Sequence, residues 1–386
     1  MSSQIQLHEP SFNNKEITIL KSCIKSGWVT VKGKYVDIFK SKIKKLTNSK
    51  YVVPTTNGTS ALHVSLKLAD VKKDDEVIVP TITYVATINP IAYVGASPIF
   101  MDVEDDLNIS VKNLRKFLKE ETTTRSNGTY NKKTNKKISA IVVVHVFGNA
   151  VDIKPIIKIC KKRKIKIIED AAESLGTFYK KNYLKNKHTG TSGDFGCLSF
   201  NGNKIITTGG GGAVLTNNQK KYKHCNYLCD QAKDDTIFSI HNEIGFNYKL
   251  SNIQSALGCA QLDKLNNYLK KKKKIHENYC KLFKDHPKFR ILKPKNFFKS
   301  NYWLNVLIIK DIKKLKLKKI IKKLIKNGIE TRPVWNLNHQ QLPFRKFQKY
   351  RIKNSTNIVK THLCIPSSPN LTFGQQKRIY KIINTL

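Results

Sequence analysis

Three short stretches carry residues whose types and spacing can do chemistry. In "SFNGNKIITTGGGG" a single lysine, Lys204, stands between Ser199 and the four glycines Gly209–Gly212. In "IIEDAAES", Glu169 and Asp170 close an apolar run. In "TTNGTSALH", Asn57, Gly58, Thr59 and Ser60 lead into a helical pattern. Each has an ordinary alternative: one more surface lysine, a capping aspartate, and an N-cap by Thr59 or Ser60. A Walker A loop does not fit the first stretch, because it needs G-x-x-x-x-G-K-[ST] and here the glycines follow the lysine. No G-x-G-x-x-G fingerprint is present either. Together the three stretches supply what pyridoxal 5'-phosphate (PLP) requires. A helix start cradles its phosphate, an anion faces its pyridinium nitrogen, and an amine meets its aldehyde.

The elements around these stretches predict where they meet. From about residue 59 to 215, apolar β-branched runs alternate with helical patterns. "DEVIVP", "SPIFMDV", "ISAIVVVHVFG", "IKIIED", "GCLSF" and "GGAVLTN" read as strands. "ALHVSLKLA", "INPIAYVGA", "VKNLRKFLKE" and "IKPIIKICKKRK" read as helices. Continuous apolar strands separated by helices predict an α/β fold with a mostly parallel sheet covered on both faces. Ligands then sit beyond the carboxyl ends of the strands, where "VPTTNGT", "VPTITY", "VHVFGNA" and "IIEDAAES" run out. Residues 120–137, polar with an Asn-Gly turn, predict a solvent-exposed hairpin or loop inserted before the next strand. After about residue 265 come a long lysine-rich helix, the strand "YWLNVLIIK", an amphipathic helix carrying Leu315, Leu317, Ile320, Ile321, Leu324 and Ile325 inward, and a last helix opened by Thr372. The expected division is a large domain over 1–264 and a small α+β domain over 265–386.

Composition limits the partners. The chain has 386 residues and a formal charge of +44. The excess is nearly all lysine, with 8 arginines among 71 basic residues, and it is spread along the chain without interleaved aromatics. Arginine is the residue of bidentate phosphate and base contacts, so the charge reads as a solvated surface and not as a nucleic-acid site. No run of 18 apolar residues suggests a membrane span, and no secretory signal opens the chain. The eight cysteines lack paired metal-ligand spacing, "HCNYLC" included, which fits reduced thiols in a cytoplasmic protein and no metal.

Along nearly its whole length the sequence resembles the DegT-like sugar-nucleotide aminotransferases, PLP enzymes of fold type I. "SGWVT", "NGTSALH", "DEVIVPTITYVAT", "VHVFGNAVD", "IEDAAESLGT", "GTSGDFGCLSFNGNKIITTGGGGAVLT" and "GFNYKLSNIQSALGCAQL" carry the resemblance. It implies an aspartate-aminotransferase-like fold and a role for each matched residue. Lys204 is the Schiff-base lysine, and Asp170 keeps the pyridinium nitrogen protonated. The Tyr84 ring stacks on the cofactor; Gly58, Thr59 and Ser199 hold its phosphate; Glu173 contacts its phenolic oxygen. Asn247 reaches the phosphate of the partner subunit's cofactor, which implies a homodimer with shared active sites. Glutamate is the implied amino donor and a nucleotide-linked keto sugar the acceptor. The branch most resembled acts on UDP- or GDP-linked 4-keto-6-deoxy sugars with a 2-acetamido group, in bacillosamine and legionaminic acid pathways. Arg332 and Lys249 are candidates for the diphosphate, although the commonest family pattern has arginine where Lys249 stands. Trp28, Trp335 and His339 are candidates for the sugar.

Three rivals are separable by sequence. A dehydratase of this fold replaces the lysine by histidine, and Lys204 opposes it. A PLP-binding regulator without turnover would not need a complete site, and Lys204, Asp170 and Tyr84 are all present. A nucleic-acid binder is opposed by the scattered lysines.

Overall fold

Ten strands join into one mixed sheet. The computed structural model describes residues 4–310 and 316–385. The main path of the sheet runs Tyr51–Thr55, Gly212–Thr216, Phe195–Ser199, Lys166–Asp170, Lys137–Val144, Glu76–Pro80, Ser97–Met101 and Lys349–Tyr350. Gly212–Thr216 is antiparallel to both of its neighbours, and the other pairings on this path are parallel. Side chains alternate between two buried layers, as strand geometry demands. Val142, Ile168, Cys197 and Val214 face the layer of helices Gly58–Leu68, Asn89–Tyr93 and Gln219–Cys229. Ile141, Val143 and Ile167 face helices Val111–Glu120 and Ile153–Arg163 on the other side. The helix Gly58–Leu68 is buried nearly all round, which is why its pattern is apolar on every face.

Residues 120–137 do form a hairpin, with Thr122–Arg125 antiparallel to Gly128–Asn131. It is not simply solvent-exposed: its second strand pairs with Lys137–Ile138, and Thr129 and Asn131 are fully buried. The Asn131 amide is inside because it donates to the buried Glu76 carboxylate at 2.8 Å.

The lysine-rich helix spans Asn252–Leu282, so the expected division at residue 264 falls within it. Its first half packs against helices Asn14–Lys25 and Lys34–Thr47, and its second half enters a separate core. That core lies under an antiparallel sheet of Phe289–Ile291, Asn305–Ile309, His362–Ile365 and Arg332–Pro333. It also takes Ile5 from the start of the chain. The amphipathic helix is Leu317–Lys326. Ile320 and Leu324 are buried and Leu317 and Ile321 pack beside them, whereas Ile325 is half exposed because it lies one residue round from Leu324. Leu315 lies outside the described residues. Thr372 opens the last helix, Phe373–Asn384, with a capping box to Gln375.

Candidate active site

The strand ends deliver three groups to one cavity of about 360 Å³, lined among others by Gly58, Thr59, Tyr84, Asp170, Glu173, Ser199, Lys204 and Trp335. The first group is the start of helix Gly58–Leu68. Its N-cap is Asn57, not Thr59 or Ser60: the Asn57 side chain accepts from the Ser60 amide at 2.7 Å. The amides of Gly58 and Thr59 precede the helix's own acceptors, and both residues line the cavity. A side chain at Gly58 would meet Ser199 Cβ at 2.9 Å, so the chain can run this close to Ser199 only as glycine. Gly212 presses on the same loop, 2.5 Å from Asn57 main-chain atoms at the point where a Cβ would stand. Gly209, with φ of +83°, turns the chain back into that strand.

The second group is Asp170, at the end of its strand and 4% exposed. Its Oδ2 accepts from the Thr87 hydroxyl at 2.7 Å and its Oδ1 from the Ala172 amide at 3.1 Å. Burial pushes its pKa above the usual range, while the Thr87 hydroxyl, the Ala172 amide and the Lys204 charge pull it back. Two donors leave each oxygen a free lone pair, so this carboxylate can still receive an N–H from a ligand.

The third group is Lys204, set by a turn in which its amide donates to Asn201 O at 2.9 Å. Its Nζ stands 3.5 Å from Glu173 Oε1 and 4.2 Å from the centre of the Trp303 ring. Glu173 Oε2 accepts from the Phe147 amide at 2.8 Å. Burial raises the Glu173 carboxyl to about 7, against the pull of the Lys204 charge. A carboxyl of this kind exchanges its proton near neutrality. The set fits PLP on the protein's own terms: free helix amides for a phosphate, a buried acid for a ring nitrogen, and a shielded amine beside both.

A second cavity, of about 510 Å³, adjoins the first through Tyr84, Asn203, Trp303 and Trp335, and Arg332 lies on its wall. Trp335 stands between Tyr84 and Phe147, at centroid distances of 6.4 and 4.6 Å. The Arg332 guanidinium is paired with Glu330 at 2.8 Å.

Four expected residues lie away from both cavities. His339 is buried, its Nδ1 bonded to Thr81 Oγ1 at 2.7 Å, and with Asn338 it braces the loop behind Tyr84. Lys249 Nζ is bound to Asp230 at 2.6 Å. Asn247 and Trp28 are on the surface of this chain. Thr87 and Trp303 belong to the site and were not expected, whereas Asn57, read as part of the helix start, proves to be its cap. Only Thr87 had a signal, as the hydroxyl three residues beyond Tyr84 in "TYVAT".

With this geometry in place, relatives give it a setting. EpsN of Bacillus subtilis (strain 168), provisionally named a pyridoxal phosphate-dependent aminotransferase, is 33% identical over 99% of this chain and 96% of its own. The GDP-perosamine synthase of Escherichia coli O157:H7 is 32% identical over 98% of each chain. The solved structure of Helicobacter pylori PseC, an aminotransferase in pseudoaminic acid biosynthesis, superposes with a TM-score of 0.88 over 99% of both chains at 25% identity. Residues 10–384 match one family from end to end, and the chain belongs to the DegT/DnrJ/EryC1/StrS aminotransferase family.

Proposed function

We propose that the protein moves an amino group from glutamate to the 4-keto group of a nucleotide-linked 4-keto-6-deoxy sugar, with PLP as cofactor. The proposed substrate is a UDP- or GDP-linked sugar with a 2-acetamido group. The observation that carries the reading is the meeting of Lys204, Asp170 and the Gly58–Thr59 helix start around one cavity.

When bound, PLP supplies an electron sink that lets the donor's α-carbon give up its proton. Asp170 holds the ring nitrogen protonated, and Tyr84, 57% exposed in this chain, offers its ring to the cofactor's face. Gly58, Thr59 and Ser199 hold the phosphate. Lys204 is the amine that would hold the cofactor's aldehyde, and its Nζ would move the proton at the donor's α-carbon. Glu173, 3.5 Å from Lys204 Nζ, stabilises the lysine's charged form and would contact the cofactor's phenolic oxygen. Arg332 and Trp335 face the sugar nucleotide from the adjoining cavity. Lys249, held by Asp230, turns to the diphosphate only by leaving that partner.

The protein works as a homodimer in which the partner's copy of the residue at position 247, an exposed Asn here, completes the phosphate site. Trp28, Ile237, Phe238 and Ile244, all more than half exposed, are apolar side chains for such a dimer to cover. Its eight free thiols suit a reducing cytoplasm.

A second reading, a sugar without the 2-acetamido group, is favoured by the likeness to a GDP-perosamine synthase. UDP-, GDP- and dTDP-linked 4-keto sugars, with and without that group, incubated with glutamate and scored by product mass, separate the two. No aminated product from any of them would refute both.

A further inference from the structure

Trp303 has no part in the roles above, yet it borders both cavities. It is buried, which by itself reads as packing. What it packs against is a charge: Lys204 Nζ lies over the ring, 4.2 Å from its centre. The chain fixes this indole at both ends. Its main-chain amide donates to Asn301 Oδ1 at 2.9 Å, and its Nε1–H donates to Asn203 O at 2.8 Å, one residue before the lysine. Asn301, fully buried, donates from Nδ2 to the carbonyls of Glu173 and Leu175, both at 2.9 Å. One side chain thus ties the backbone at Glu173 to the backbone at Trp303, the two residues that flank Lys204 Nζ. The Phe147 ring, 6.0 Å from the indole, closes the same unit, because its amide donates to Glu173 Oε2.

Under the proposed function the lysine changes charge during turnover. Nζ is a neutral amine when it takes the proton at the donor's α-carbon. The C–H bond breaks, its electron pair stays on the donor's side, and the proton becomes the third N–H of an ammonium. That ammonium has three donors and no acceptor, in a cavity largely shielded from water. Glu173, at 3.5 Å, faces it from one side. A second carboxylate on the other side would engage Nζ through directed hydrogen bonds and hold the proton it must later release. An indole face attracts a desolvated cation without that direction. Building on the aminotransferase reading, we infer that Trp303 is a positioning residue for Lys204. Its ring face keeps the protonated amine beside Glu173 and leaves the N–H groups free to react.

The test has one arm without cofactor. Cyanate reacts with neutral amines, and peptide mass locates each modified lysine. In the apo protein Lys204 should be labelled about tenfold faster in Trp303→Leu than in wild type, while the other lysines keep their rates and serve as the reference. Trp303→Phe keeps a ring face, and the carbonyl of the exposed Asn203 can turn to water. Its labelling should stay within about threefold of wild type. The second arm follows the glutamate half-reaction of PLP-loaded enzyme. Trp303→Leu should slow it about tenfold, with KM for glutamate within about twofold and a larger isotope effect from α-deuterated glutamate. Trp303→Phe should recover most of the rate. Labelling unchanged in Trp303→Leu overturns the inference, and so does faster labelling with no slower half-reaction, which makes the ring a shield only. Equal losses in both variants mark a structural role, and a loss carried by KM marks a substrate contact; either overturns it. Wild-type enzyme that takes no amino group from glutamate sinks the aminotransferase reading and this inference together, whereas apo labelling that ignores Trp303→Leu sinks only the inference.

Discussion

Lys204 Nζ stands 3.5 Å from Glu173 Oε1, and burial holds that carboxyl near pH 7. A carboxyl whose pKa rises on folding favours the folded state most when protonated, so its contribution is lost as pH climbs from about 4.5 through about 7. Glu173→Gln, which mimics the protonated form, should therefore gain stability relative to wild type between pH 5 and pH 8. The gain should be up to about 3 kcal/mol, read from chemical denaturation at several pH values. A difference that stays flat with pH would show that the carboxyl is ionised throughout. The same variant should lose the inflection near neutrality in the pH profile of the glutamate half-reaction.

Lys204→Ala should abolish covalent attachment of PLP. Borohydride treatment of wild type should leave the cofactor's added mass on the peptide containing Lys204, and the variant should show none. A variant that still aminates sugar at the wild-type rate would remove the lysine from the chemistry altogether.

Asp170→Asn should lower turnover at least about 100-fold, because a neutral amide cannot hold a ring nitrogen protonated. Thr87→Val should cost about tenfold, because the hydroxyl, which also pairs with Thr83 at 2.8 Å, acts on the site through Asp170 at 2.7 Å. The double variant should then be no worse than Asp170→Asn alone. Additive losses would give Thr87 a separate role.

That pair also marks how far the sequence could be read. The strand that ends in Asp170 and the helix that starts at Gly58 are legible, because period-2 burial and capping are local properties. Thr87 lies 83 residues from Asp170, and their bond follows from strand order, which no local pattern encodes. Trp303 reaches Lys204 from a distant stretch of the chain, just before strand Asn305–Ile309, and "YWLNVLIIK" reads the same with or without a lysine above it. His339 is the opposite case: family resemblance pointed it at the sugar, while Thr81 and Phe100 hold it in the core. Within residues 120–137 Asn131 departs from the solvent-exposed reading, because a polar residue looks solvated until its buried partner, Glu76, is known.

Gly212→Ala should weaken cofactor retention more than it weakens the fold. The added methyl would stand 2.5 Å from Asn57 main-chain atoms and must push the loop that presents Gly58 and Thr59. Overpacking of this kind costs about 1–3 kcal/mol, but its displacement falls on the phosphate cradle. Equilibrium dialysis against PLP, run beside thermal melts of the apo form, distinguishes the two. Equal losses in both would make the glycine structural only.

The shared active site can be tested without a structure of the dimer. If Asn247 serves the partner's cofactor, Lys204→Ala and Asn247→Ala place their defects in different sites of a mixed dimer. One site then carries both lesions, while the other has an intact Lys204 from one subunit and an intact Asn247 from its partner. Two preparations that are each inactive or weak should therefore regain activity when unfolded together and refolded. The regained sites should have the wild-type KM for the keto sugar, because each is chemically complete. If Asn247 instead served the site of its own chain, every site in the mixture would keep one lesion, and mixing would restore nothing. Its exposure on the isolated chain, on a segment rich in exposed Ile237, Phe238 and Ile244, is what the shared-site arrangement requires.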